Sequence, residues 1–87
     1  MRLRRRRQPG GPRVTLYSRA GCHLCEAAEA VVREVCADLG ESYVVVDVDA
    51  DPQLQARFSD EVPVTFVDGA QHDFWRVDEA RLRAALG

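Results

Sequence analysis

Two thiols separated by two residues carry the strongest chemical signal in this chain. Cys22-His23-Leu24-Cys25 falls where a short strand gives way to a helix, so the pair sits one helical turn apart at a helix N-terminus. A thiolate in such a place faces backbone N–H groups that lack helical partners and the positive end of the helix dipole. Both favour anionic sulfur, the nucleophile of thiol–disulfide exchange. Cys22, at the outer end of the turn, is the expected nucleophile. Cys25, one turn inward, is placed to attack a mixed disulfide on Cys22 and release the product. His23 is placed to bring a hydrogen bond or positive charge to the Cys22 sulfur, and Arg19 adds a cation three positions before it. Both are candidates for tuning the thiolate, against the plainer reading of solvated loop side chains.

The third cysteine reads differently. Cys36 shares an apolar helix face with Val32 and is expected to be a buried core thiol rather than a third redox group. Three cysteines also resist a fully paired disulfide framework. A competing reading is a metal-binding module, with Cys22, Cys25 and either His23 or Cys36 holding zinc or a soft monovalent ion; a second ligand pair is missing. Asp47, Asp49 and Asp51 alternate like the start of a calcium loop, but the later ligands and glycine of such a loop are absent.

The elements that must position the pair follow from apolar periodicity. Val14–Tyr17 is β-branched and aromatic, ended by Ser18-Arg19-Ala20-Gly21. From about His23 to Leu39, the residues Ala28, Val31, Val32, Val35, Cys36 and Leu39 fall at helical spacing and define one buried face, with Gly40 as its stop. Ser42–Val48 has a near-continuous apolar centre, which predicts a strand covered on both faces. Asp51 and Pro52 suit the N-cap and first position of a second helix that ends near Phe58. Pro63–Val67 is a third strand, Asp68-Gly69 a hairpin turn, and Gln71–Arg76 a fourth strand. Asp78 then caps a final helix that offers Ala80, Leu82, Ala85 and Leu86 for packing. Phe66, Phe74 and Trp75 are expected as core and sheet-face aromatics, and His72 as an edge or surface residue. The resulting fold class is α/β: order β-α-β-α-β-β-α, with a mixed four-stranded sheet and helices on both faces.

Composition bounds the rest. Eighty-seven residues make one small domain. The net charge of −2 hides an asymmetry: residues 1–13 hold six arginines and no acid, while the remainder holds six arginines against 14 acids. Residues 1–12 therefore read as a flexible arginine-rich tail and residues 13–87 as the folded unit. No apolar run approaches the ~20 residues that span a bilayer. Gln8-Pro9-Gly10-Gly11-Pro12 follows the arginines where a secretory signal would be apolar. The expectation is a cytoplasmic monomer with no membrane partner, in a compartment where structural disulfides are rare. The tail could bind phosphate backbones by charge alone, which leaves a non-catalytic adaptor as another alternative. The acidic folded part offers no second basic patch, and nucleic acid is not the expected partner.

With these residues in place, the chain from residue 13 onward resembles the thioredoxin fold and, within it, a short glutaredoxin-like domain of bacterial type. The likeness rests on the strand Val14–Tyr17 running into Ser18-Arg19-Ala20-Gly21-Cys22-His23-Leu24-Cys25, and on Glu61-Val62-Pro63-Val64-Thr65-Phe66-Val67-Asp68-Gly69. The resemblance implies a thiol–disulfide oxidoreductase acting on protein disulfides or low-molecular-weight thiols. It also implies a cis peptide bond before Pro63, with Val62 presenting its backbone to a bound substrate; residues alone would read Pro63 only as a strand start. Glutaredoxins usually carry Pro-Tyr or a similar pair where this chain has His23-Leu24 and Thr-Val-Pro where it has Glu61-Val62-Pro63, and many carry a lysine at the position of Arg19. The Gly-Gly pair and following acid that hold glutathione carboxylates correspond to Trp75-Arg76-Val77-Asp78-Glu79. No Gly-Gly is present. Glutathione is thus a candidate reductant that this departure speaks against, and no permanently bound cofactor is implied.

Overall fold

The computed structural model describes residues 11–87. The expected arginine-rich tail lies outside them, apart from Gly11 and Pro12. Four strands, β1 (Val14–Ser18), β2 (Tyr43–Asp47), β3 (Val64–Val67) and β4 (Ala70–Phe74), form one sheet in the order β2-β1-β3-β4. β1 and β2 run parallel across the helix α1 (His23–Leu39), whereas β1–β3 and β3–β4 are antiparallel. α2 (Pro52–Phe58) leads into β3, and α3 (Glu79–Leu86) follows β4. The expected order and mixed sheet are both observed.

Side-chain alternation along β1 divides the interior in two. Val14 points to one face and joins Val32, Val35 and Cys36 of α1, Val67 of β3, and Leu82 and Leu86 of α3 in an aliphatic core. Tyr17 points to the other, where Val48, Phe58 and Val64 are buried with Leu54 and Phe66 packed on them. That second core is aromatic: the Tyr17 and Phe58 ring centroids lie 4.8 Å apart, and Phe66 meets both rings edge-on. Helices therefore cover both faces, two on one and the short α2 on the other.

Local signals explain the element ends. Asp51 accepts the Gln53 N–H at 2.8 Å and Asp78 accepts the Arg81 N–H at 3.0 Å, each capping its helix as expected. Gly40 adopts φ 70° and closes α1. Asp68 and Gly69 both take positive φ, 54° and 84°, as a two-residue hairpin of the twist-matched type requires. Arg13, just before β1, grips both carboxylate oxygens of Asp68, Glu41, and the Leu86 carbonyl. It thereby ties the hairpin, the start of β2 and the end of α3 together.

Several expectations need correction. β2 is an edge strand, and Val44 and Val45 are about 40% exposed (41% and 39%) rather than covered on both sides. It stops at Asp47, whose carboxylate accepts the Asp49 N–H and turns the chain into a single 3-10 turn over Val48–Ala50. β4 ends at Phe74, and the Phe74 and Trp75 side chains are half-exposed instead of core. Leu39, Ala80 and Ala85 also face solvent. His72 does lie on edge strand β4, but its ring turns inward. Its Nε2 and the Thr65 hydroxyl are buried without hydrogen-bond partners among the described residues.

Candidate functional site

One end of the sheet gathers every candidate residue. Ser18 of β1 pairs with Asp47 of β2, Tyr17 with Val64, and Val64 with Phe74. The end of β1, the end of β2, the start of β3 and the end of β4 are therefore neighbours. The cysteine turn, Pro63 and Trp75 follow or precede those strand ends directly.

Gly21 (φ 72°) bends the chain out of β1, and Cys22 in an extended conformation becomes the N-cap of α1. The Cys22 sulfur accepts the backbone N–H of Cys25 at 3.1 Å. This is the contact that a Ser or Asp oxygen makes at an ordinary N-cap, here made by sulfur. The two thiols differ in access: Cys22 is part-exposed, while Cys25 is 2% exposed. Burial holds the Cys25 thiol above its ordinary range, and the contact with Cys22 acts in the same direction. Hydrogen bonds from the Ser18 side chain and the Arg19 backbone oppose this shift.

The two tuning candidates lie at this end too, but their polar contacts are with carboxylates rather than with the sulfurs. The His23 side chain is 98% exposed, 4.0 Å from the Glu26 carboxylate, and bonds to neither sulfur. Arg19 forks onto both oxygens of Asp49, at 3.0 and 3.1 Å, and donates to the Ser59 carbonyl at 3.3 Å. This pairing holds the Asp49 carboxyl below the usual carboxylate range and raises Arg19 above its own. Attraction between Arg19 and the two cysteine sulfurs contributes, but less than Asp49. Arg19 thus ties the loop before the cysteines to the 3-10 turn and the end of α2. The three aspartates also find separate duties: Asp47 and Asp51 cap turns, and Asp49 holds Arg19 and Gln55.

The Val62–Pro63 peptide bond is cis and Pro63 is buried. Val62 presents less backbone than the resemblance implies, because its N–H donates to the Phe58 carbonyl at 3.1 Å. Its carbonyl accepts no bond among the described residues. Trp75 secures this segment. Its backbone N–H donates to the Pro63 carbonyl at 2.7 Å and to that of Glu61 at 3.3 Å, while the indole Nε1 donates to the Asp60 carbonyl at 3.0 Å. These bonds hold Trp75 at φ 68°, a conformation that side-chain-bearing residues rarely adopt. Sequence reasoning missed this role, since an aromatic residue beside a strand signals burial and nothing more.

Two hollows flank the cysteine turn. One, of about 250 Å³, is bordered by Arg19, Gly21, Cys25, Glu26, Glu29 and Asp47. The other, of about 270 Å³, is lined by Leu24, Ala27, Ala28, Val31, Arg76 and Val77. Cys36 lies eleven residues beyond Cys25 on one helix, ~16 Å along its axis, and is buried in the aliphatic core. It cannot join the pair as a ligand. Among the described residues no group of three or more His, Cys, Asp and Glu side chains is disposed to hold a metal ion.

Comparison with known proteins agrees with this geometry. The family model described as the glutaredoxin-like domain (DUF836) matches residues 13–87. An uncharacterized protein of Mycobacterium tuberculosis is 41% identical over 80 residues, covering 86% of this chain and 82% of the relative. The X-ray structure of a structural-genomics target from X. campestris superposes with a TM-score of 0.70 at 35% identity, covering 84% of this chain and 93% of that one. The holo form of glutaredoxin C1 from Populus tremula x tremuloides gives a TM-score of 0.54 at 23% identity, over 88% of this chain and 84% of that one. This last likeness is one of fold, and it makes the architecture thioredoxin-like.

Proposed function

The chain belongs to the glutaredoxin-like domain family, and on that footing we propose that it is a thiol–disulfide oxidoreductase with Cys22 as nucleophile and Cys25 as resolving thiol. The observation that carries this reading is the asymmetry of the pair. The reachable sulfur caps a helix and accepts a backbone N–H, while the other is buried one turn behind it. In the proposed sequence the Cys22 thiolate attacks one sulfur of a substrate disulfide. The Cys22–substrate bond forms, the substrate S–S bond breaks, and the first substrate thiol departs with the bonding electron pair. Cys25 then loses its proton and attacks the Cys22 sulfur, releasing the second substrate thiol. Two electrons pass from the dithiol to the substrate, and the protein is left with a Cys22–Cys25 disulfide.

Burial of Cys25 suits this order. A thiol held protonated waits until the mixed disulfide has formed next to it, so the outer thiolate meets substrate first. In this reading Pro63 and the open carbonyl of Val62, at the same end of the sheet as the cysteine turn, supply a wall and an acceptor for the bound disulfide. Substrates in this reading are protein disulfides or mixed disulfides of small thiols, with glutathione as one candidate reductant. The test is direct. Cys22→Ser is expected to abolish reduction of hydroxyethyl disulfide, and Cys25→Ser to leave a mixed disulfide on Cys22 that mass spectrometry detects. Retained activity in Cys22→Ser would overturn the assignment.

A further inference from the structure

Resting on the dithiol reading above, we propose that the disulfide is carried by a polypeptide segment with an apolar and an acidic residue beside its cysteine. The apolar side chain lies in the groove between α1 and the segment after β4, and the acidic one meets Arg76. The groove begins at Leu24, inside the cysteine turn, and runs over Ala27, Ala28 and Val31 to Val77. Leu24 is 51% exposed at its mouth, an apolar side chain presented to solvent right beside the nucleophile. An alanine–valine floor offers no hydrogen bond to the carboxylates and amine of a small zwitterionic thiol. It does gain from covering an aliphatic side chain.

Charge selects the occupant further. Arg13, Arg19, Arg81 and Arg83 are each held by carboxylates. Arg76, at the rim of the groove, is exposed and meets no carboxylate among the described residues. Across the turn the signs reverse. Glu26, Glu29 and Asp47 border the hollow beside Cys25, and Arg19, the one cation there among the described residues, is already taken by Asp49. An anionic partner is attracted on the α3 side of Cys22 and repelled on the β2 side. Glutathione, with two carboxylates and, among the described residues that border the two hollows, Arg76 alone not held by a carboxylate, fits this division poorly. A segment that places its acid over Arg76 and keeps the opposite side neutral or basic fits it well.

The test uses the reduced full-length protein in single turnovers, with blocked pentapeptides joined through their cysteine to the chromophore thionitrobenzoate. Three peptides, Asp-Leu-Cys-Leu-Asp, Ser-Leu-Cys-Leu-Ser and Lys-Leu-Cys-Leu-Lys, are compared with the glutathione mixed disulfide. Release of the chromophore accompanies formation of the Cys22–peptide bond. The Asp peptide is expected to react about threefold faster than the Lys peptide, the scale of one exposed ion pair, and faster than the glutathione probe. Arg76→Glu is expected to reverse the order of the Asp and Lys peptides. Arg33→Glu, farther along α1 and outside the groove, is expected to leave the order unchanged. Salt at about 0.5 M should draw the charged peptides together. An unchanged order in Arg76→Glu, or a glutathione probe faster than the Asp peptide, overturns the proposal. Continued turnover of the Ser peptide in that case leaves the dithiol reading standing. If wild type reduces none of the four, both fall.

Discussion

The two faces of the sheet solve the same packing problem with different materials. On one, α1 and α3 bury valines, leucines and Cys36 against β1 and β3. On the other, the seven-residue α2 supplies Phe58 to a cluster completed by Tyr17 and Phe66, with the Arg57 guanidinium 4.7 Å above the Phe58 ring. The first face carries the cysteine pair on a long helix. The second carries the approach to Pro63, since the Phe58 carbonyl accepts the N–H groups of both Glu61 and Val62. The site is thus a meeting of a rigid aliphatic half and a compact aromatic half, and each fixes a different wall.

Large-to-small changes in the two cores test that division most strongly. Phe58→Ala is expected to cost about 3–5 kcal/mol and Leu82→Ala about 2–5 kcal/mol, read by urea unfolding. The two should differ in function: Phe58→Ala lowers the reductase rate of the remaining folded protein, because the wall at Val62 and Pro63 loosens, whereas Leu82→Ala leaves it near wild type. Equal losses would erase the distinction between the halves. Trp75 gives a finer cut. Trp75→Ala removes the indole bond to Asp60 yet keeps a side chain at φ 68°, so both penalties apply. Trp75→Gly removes the same bond and relieves the backbone, and should be about 1 kcal/mol more stable than the alanine variant. The reverse ranking would show that the positive φ at this position carries no strain for a side chain to feel.

The smallest effect expected is in pH. Burial holds Cys36, like Cys25, above the ordinary thiol range, with the Glu41 charge adding to the shift at Cys36. A raised folded value means that the fold favours the neutral thiol. Its contribution is complete below the unfolded thiol value of about 8.5 and is lost as pH rises through the higher folded value. Thermal midpoints in reductant should therefore fall above about pH 8.5, and less steeply in Cys36→Ala than in wild type. Identical slopes would place the alkaline sensitivity in other groups.

What could be read from the residues divides along the same line. The aliphatic face was legible because α1 repeats its apolar residues at helical spacing over 17 residues, long enough for periodicity to mean burial. The cysteine turn was legible because residue type and helix start coincide. β2 misled, because Tyr43-Val44-Val45-Val46 reads alike at the centre or the edge of a sheet, and strand order is not written in any local period. Leu39 fits the apolar spacing of α1 yet falls at its last turn, where it is 40% exposed. The polar scaffolding was also hidden. No spacing rule links Arg19 to Asp49, Arg13 to Asp68 or Trp75 to Asp60, since each pair is joined only by the fold.

Trp75 is the single tryptophan of the chain. Its indole is half-exposed, hydrogen-bonded to the segment ahead of Pro63, and adjacent in sequence to the rim of the apolar groove. The molecule consequently carries one indole fluorophore, selectively excited apart from its two tyrosines and set beside the place where a partner would bind. Its emission has no second indole to dilute it, so wavelength and quenching can follow occupancy of that corner in real time, without a label.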